Sequence, residues 1–233
     1  MVPRSCIPCE RIDIDSYDWY ARHAAKVAES RDKSADIIFI GDSITHFWNE
    51  GETRSYGQEC WDEFFRAYRT LNLGFGFDRT QNMLWRLSHG EGDNQNPAVV
   101  VLNAGTNQFS ITQNYSGDTP ETAFAGVKML IETIRTRYPE AKLVVMAVFP
   151  RLPETPTWEN IKHLNKYIRD FLAEKNDSMI KFLDISTQMC NPDGSFNAKL
   201  FQDRVCHPNN DGYRIWARAL LPEIDGILKK TSE

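Results

Sequence analysis

Short apolar runs without polar alternation recur along this chain, separated by longer stretches whose apolar residues return at helical spacing. The runs fall at 36–40, Tyr68 to Leu73, Pro97 to Asn103, Leu143 to Phe149 and Met179 to Ile185. Runs of this kind read as strands covered on both faces of a parallel sheet. Between them, Trp19, Tyr20, Ala24 and Val27 predict a helix over Tyr17 to Arg31, and the aromatic stretch Trp61 to Phe65 a short one. Met83, Leu84 and Leu87 mark a helix from Arg79 or Thr80 to about His89. Thr119-Pro120-Glu121 opens another that Pro139 closes after Tyr138. Ile161, Leu164, Ile168, Phe171 and Leu172 predict a helix over Asn160 to Lys175, and the last should run from Tyr213 to Leu228. Residues 1–16 read as irregular, and the segment after Ser43 as polar. The alternation predicts a single α/β domain over 1–233, a three-layer α/β/α sandwich around a five-stranded parallel sheet with right-handed crossovers.

The strand ends carry the polar clusters. The first run stops at Gly41-Asp42-Ser43, the second leads into Gly74-Phe75-Gly76-Phe77-Asp78, the third into Gly105-Thr106-Asn107, and His207 begins the final helical segment. In open α/β sheets ligands bind outside the carboxyl ends of the strands, so these groups share one edge. A Gly-Asp-Ser tripeptide alone is equally well a helix cap. A nucleophilic serine needs a base, and His207 is the histidine placed at that edge. His23, His89 and His163 lie on predicted helices, while His46 is near enough to Ser43 to line a pocket. The Asn107 side chain and backbone N–H groups of Ser43 and of the 74–78 turn could receive an oxyanion, a constellation suited to acyl transfer. Asp42, His46, Gly76 and Phe109 are candidate pocket residues. Phe47, Trp48, Phe109 and Tyr115 could form apolar walls or a sugar-stacking rim. The plainer readings are that Asp42 supports its turn through backbone hydrogen bonds, Asp78 and Arg79 brace a loop, and Cys206 is a small buried hydrophobe.

Composition narrows the function without choosing it. A net charge of −5 with dispersed basic residues gives no reason to expect nucleic acid. No apolar stretch approaches the ~20 residues that span a bilayer. Five scattered cysteines do not form a disulfide framework, which favours a reducing, cytoplasmic setting, with secretion after loss of a signal peptide as the alternative. Cys6-x-x-Cys9 has metal or redox spacing but no second ligand pair nearby. Gly74-x-Gly76 lacks the third glycine of a dinucleotide fingerprint. Neither a metal nor a cofactor is expected.

Taken together, Ile38-Phe39-Ile40-Gly41-Asp42-Ser43-Ile44, the block Asn72 to Gln81 with Leu84-Trp85-Arg86-Leu87, Gly105-Thr106-Asn107 and the C-terminal His207 resemble the GDSL, or SGNH, hydrolases. The likeness is greatest to their platelet-activating-factor acetylhydrolase-like branch and covers most of the chain. The resemblance implies a flavodoxin-like sheet of order 2-1-3-4-5, with Ser43 as nucleophile, Asn107 as oxyanion donor and His207 as general base. Two positions depart from the family pattern. The oxyanion glycine is replaced by Phe77, whose amide still serves if its φ/ψ allow and whose ring would narrow or cap the acyl pocket. The acid expected three residues before the histidine is Arg204, with Asp203 one residue further back. Either a one-residue bulge brings Asp203 to His207, with Arg204 turned to solvent, or a main-chain carbonyl orients the ring in a Ser–His dyad. The triad is adopted here because a carboxylate also stabilises the imidazolium.

The resulting expectation is a serine esterase acting through an acyl-enzyme on short-chain, acetyl esters of a carbohydrate or a small lipid-like molecule. The alternative is a catalytically weak binding module on the same fold. The branch resemblance also implies a homodimer.

Overall fold

The computed structural model describes residues 1–51, 54–153 and 157–228. Five strands, β1 (Ile37–Gly41), β2 (Thr70–Gly74), β3 (Val99–Asn103), β4 (Lys142–Met146) and β5 (Ile180–Leu183), pair in parallel in the order β2-β1-β3-β4-β5. The helices are α1 (Trp19–Asp32), α2 (Ser43–His46), α3 (Gln58–Phe64), α4 (Thr80–Ser88), α5 (Pro120–Arg137), α6 (Glu159–Lys175) and α7 (Asn210–Leu228). The unbroken apolar strands have two cores to fill. Ile38 and Ile40 pack with residues of α4, α5 and α6, while Ile37 and Phe39 pack with residues of α3 and α7. This is the expected three-layer architecture. No helix among the described residues is long and apolar enough to cross a membrane.

Element ends depart from the periodicity where side chains intervene. Helix α1 begins at Trp19 rather than Tyr17, because the Asp18 carboxylate accepts the N–H groups of Tyr20 and Ala21 and so caps it. Strand β4 stops at Met146 instead of reaching Phe149. Beyond it Val148 exchanges both backbone hydrogen bonds with the side-chain amide of Asn165, which takes the place of a neighbouring strand. Helix α7 starts at Asn210, ahead of Tyr213, since Asn209 Oδ1 accepts from the N–H of Asp211 and Gly212. The segment after Ser43 is not polar in situ: it forms α2, and Phe47 and Trp48 behind it are buried.

The irregular N-terminus is a structural part. Ser5 is wholly buried, donating from Oγ to Thr122 O and accepting from Thr80 Oγ1 on its carbonyl, so residues 4–6 clamp α4 to α5. Further along, Asp13 forms an ion pair at 2.5 Å with the buried guanidinium of Arg79.

Candidate active site

Strand β1 delivers Ser43 to the carboxyl edge of the sheet. Asp42 caps α2, its Oδ1 accepting from Ile44 N–H at 2.9 Å, and Ser43 is the first helical residue. The helix lies directly on the strand ends because two glycines leave room. A Cβ at Gly41 would stand 2.1 Å from Thr45 Oγ1, and one at Gly74 2.2 Å from His46 N. Tyr213 Oη holds the helix from beneath, donating to Ile44 O at 2.8 Å.

His207 completes a hydrogen-bonded chain to this serine. Its Nε2 is 2.8 Å from Ser43 Oγ, and its Nδ1 is 2.6 Å from Asp203 Oδ2. The pattern fits the neutral tautomer that donates from Nδ1 to the carboxylate and accepts the serine proton on Nε2. Phe47 and Tyr56 pack against the imidazole at 5.3 and 6.0 Å between ring centroids. Asp203 is itself tethered, its Oδ1 accepting from the N–H groups of Val205, Cys206 and His207. Arg204 adopts φ +56° in this turn and its side chain is exposed. The offset between Asp203 and Arg204 is thus absorbed by one left-handed residue, and the carboxylate rather than a main-chain carbonyl faces the ring.

The electrostatics follow from that pairing. Burial works against the Asp203 carboxylate, yet the His207 hydrogen bond and the backbone N–H donors outweigh it and hold its pKa well below the usual range. Burial likewise opposes a charged His207, but Asp203 and the adjacent Cys206 thiol prevail and push its pKa upward. The ring is a strengthened base.

The three candidate oxyanion donors follow the carboxyl ends of β1, β2 and β3. Asn107 Nδ2 is oriented by a 3.0 Å hydrogen bond to Asp78 O. Phe77 sits at φ +60°, the left-handed region that a glycine would take freely, and its ring is 39% exposed. Among the described residues neither the Ser43 nor the Phe77 N–H has an acceptor within the protein. A second set of contacts, invisible to local pattern, holds these donors. Asp78 accepts from Trp19 Nε1 and from Arg86 Nε, both at 2.7 Å, and Arg86 also pairs with Glu91, which meets His23 at 2.7 Å. Arg79 Nε donates to Asn107 O at 3.1 Å. Asp78 and Arg79 therefore brace the 74–78 turn and the loop that carries Asn107, as their positions suggest.

Several candidate pocket residues turn out to be internal supports. Asp42 has no exposed surface, and burial pushes its carboxyl up to about 7. His46 is also enclosed; burial, with Arg22 nearby, holds its ring neutral, and its Nδ1 accepts from Gly76 N–H at 3.3 Å. Gly76 is buried with it, since a Cβ there would stand 2.2 Å from Asp15 Oδ2. Trp48 and Tyr115 are buried as well and form no sugar-stacking rim, Phe109 is as enclosed as Ser43 and Asn107, and Phe47 backs His207. Tyr56, which touches the same ring, escaped the sequence reading because nothing in its local pattern links it to His207. All five cysteines are free thiols, Cys6 and Cys9 among them. A cavity of about 760 Å³ lies elsewhere, between α6 and the 184–194 segment, and includes none of these residues.

A parallel α/β/α sandwich with a Ser–His–Asp chain and clustered donors at its carboxyl edge has the architecture of an SGNH hydrolase. Residues 39–215 match the model of the GDSL-like Lipase/Acylhydrolase family, and the chain belongs to that family. It is 32% identical over 203 residues to platelet-activating factor acetylhydrolase IB subunit alpha1 of Homo sapiens, covering 87% of this chain and 80% of that protein. To subunit alpha2 of Rattus norvegicus it is 30% identical over 232 residues, or 98% and 93% of the two chains. Its fold is similar to a GDSL-like lipase from Bacteroides thetaiotaomicron, with TM-score 0.69, 21% identity and coverage of 89% and 98%. An acetyl xylan esterase gives TM-score 0.61 at 20% identity, covering 82% and 99%.

Proposed function

We propose that this protein is a serine esterase that removes short acyl groups, acetyl foremost, from a carbohydrate or a small lipid-like ester. The observation that carries the reading is the continuous chain from Ser43 Oγ through His207 to Asp203, with spacings of 2.8 and 2.6 Å. Ser43 Oγ attacks the ester carbonyl carbon while its proton passes to His207 Nε2. The developing oxyanion takes hydrogen bonds from Asn107 Nδ2 and the N–H groups of Ser43 and Phe77. Collapse expels the alcohol, which leaves with the proton from His207. Water then attacks the acyl-enzyme under the same base and releases the acid.

The acetyl preference draws on two supports. The relatives named as platelet-activating factor acetylhydrolase subunits and the acetyl xylan esterase neighbour bear names that specify acetyl esters. Phe77 also places a large ring on the oxyanion turn, where it limits space for a longer chain. The intact Ser–His–Asp chain favours catalysis over a binding-module role, because both departures from the family pattern are accommodated by left-handed residues. Homodimerisation and a cytoplasmic location are part of the same proposal, and light scattering on the purified chain reads the first.

The test is hydrolysis of p-nitrophenyl acetate, butyrate and longer esters alongside acetylated sugars. Wild-type enzyme should turn over acetyl esters fastest, and Ser43→Ala should lose roughly 10³-fold or more in kcat with its fold intact. Equal turnover by the Ser43→Ala variant would overturn the assignment.

A further inference from the structure

The proposed mechanism gives the Cys206 thiol no step of its own, although it lies against His207. Its Sγ is 3.6 Å from His207 Nδ1 and 3.8 Å from Asp203 Oδ2. Among the described residues this is the place where three His, Cys, Asp or Glu side chains bring ligand atoms together, all within 4.8 Å of one another. We propose that Asp203, Cys206 and His207 form an inhibitory site for a thiophilic divalent cation such as Zn²⁺, which switches off the catalytic base from behind.

The spacing suits such an ion. With Zn–S near 2.3 Å and Zn–N or Zn–O near 2.0–2.1 Å, tetrahedral coordination requires S···N and S···O separations of about 3.5 Å and an N···O separation of about 3.3 Å. Both sulfur edges of the triangle already have nearly that length. Only the Asp203–His207 edge, now 2.6 Å, must open, through a small rotation of a carboxylate whose side chain is 30% exposed. That exposed carboxylate gives the ion its approach from solvent, and water can fill the fourth position.

Binding changes which nitrogen carries the proton. In the resting tautomer His207 holds hydrogen on Nδ1 and accepts from Ser43 on Nε2. The cation occupies Nδ1, so a neutral ring must carry its hydrogen on Nε2, while the Cys206 thiol proton is released to solvent. Nε2 can then donate to Ser43 Oγ but cannot accept from it, and Asp203 is drawn onto the metal. The serine loses its base without any movement of β1 or α2. The coordination claim stands on the three side chains alone, whereas the inhibitory consequence rests on the esterase reading.

Two readouts separate these claims. In the first, Zn²⁺ is titrated into metal-free enzyme hydrolysing p-nitrophenyl acetate, corrected for hydrolysis by the ion alone. Wild-type enzyme should be inhibited and recover on adding EDTA. Cys206→Ser, with inhibition expressed relative to its own metal-free rate, should need at least roughly tenfold more Zn²⁺ for half inhibition. In the second, Co²⁺ is added as a spectroscopic probe. Wild-type protein should develop thiolate-to-cobalt charge-transfer absorption in the near ultraviolet, as should Ser43→Ala, and Cys206→Ser should lack it. Equal Zn²⁺ sensitivity in the Cys206→Ser variant, or a cobalt band that persists in it, would refute the site. An inactive wild-type protein that still shows the Cys206-dependent band would keep the site and reject the esterase reading.

Discussion

His207 Nδ1 lies 2.6 Å from the carboxylate of Asp203, four residues before it, because Arg204 between them takes φ +56°. The same carboxylate accepts three backbone N–H groups of its own turn, and Gln202 N–H donates to His207 O at 2.7 Å to close the loop. The acid is therefore positioned by the backbone it caps, independently of Ser43.

Replacing Asp203 by Asn should lower kcat by about 10²–10⁴-fold, since the amide supports the wrong imidazole tautomer and cannot stabilise the imidazolium. The pH profile should move as well. The proposed mechanism needs neutral His207, and Asp203 raises the pKa of that ring, so wild-type kcat/KM should rise with pH through a midpoint above the ordinary histidine value. Without the carboxylate the midpoint should fall toward lower pH even as the plateau rate drops. A pH–rate series on both proteins checks this, and an unmoved midpoint would place the acid elsewhere.

Arg204 carries the conformational cost of the offset. A non-glycine residue in the left-handed region is disfavoured by about 1 kcal/mol, so Arg204→Gly should preserve activity and leave stability equal or slightly higher. Arg204→Pro is expected to behave oppositely, because proline fixes φ near −65° and would swing Asp203 away from the ring. Thermal melts together with ester turnover distinguish the two, and an active proline variant would show that the turn does not position the acid.

What could be read from the chain reflects the range of each interaction. Strands buried on both faces advertise themselves as unbroken apolar runs, and Ser43 and Asn107 stand just beyond two of their ends while His207 precedes the last helix, so the sheet and the positions of these candidate groups were legible. Asp203 was legible only as a choice, because the deciding fact is the φ of one neighbour. His46 and Asp42 looked like pocket residues since proximity in sequence to Ser43 says nothing about which side of α2 faces solvent. The clamp of Ser5 on α4 and α5, and the pairing of Asp13 with Arg79, join segments far apart in the chain that carry no shared pattern.

The brace beneath the 74–78 turn is a buried ion network, and its disruption should be costly. Arg86 is fully buried between Asp78 and Glu91. Arg86→Met would leave two buried carboxylates without their cation, for an expected loss of about 3–5 kcal/mol in unfolding free energy. Denaturant titration measures it. A variant of unchanged stability would mean that the network relaxes into water rather than supporting the turn.

In the proposed mechanism Asn107 contributes a donor to the transition state more than to binding. Asn107→Ala should therefore reduce kcat by about 10²–10³-fold with KM little altered, the pattern left by losing one oxyanion donor. An effect confined to KM would show that the amide binds substrate rather than the oxyanion.

Phe77 separates the two things that a residue at this position can do. Its backbone supplies an N–H at φ +60°, and its side chain supplies bulk on the same turn. Glycine adopts that φ without strain, so Phe77→Gly keeps the donor and removes only the ring. If the ring limits acyl length, the variant should hold its rate on p-nitrophenyl acetate within a few-fold while kcat/KM for butyrate and longer esters rises by roughly tenfold, the equivalent of about 1.4 kcal/mol of relieved steric cost. A parallel loss on every ester would instead mean that the aromatic ring holds the turn in its left-handed conformation. An unchanged acetyl-to-butyryl ratio would move the determinant of chain length away from Phe77.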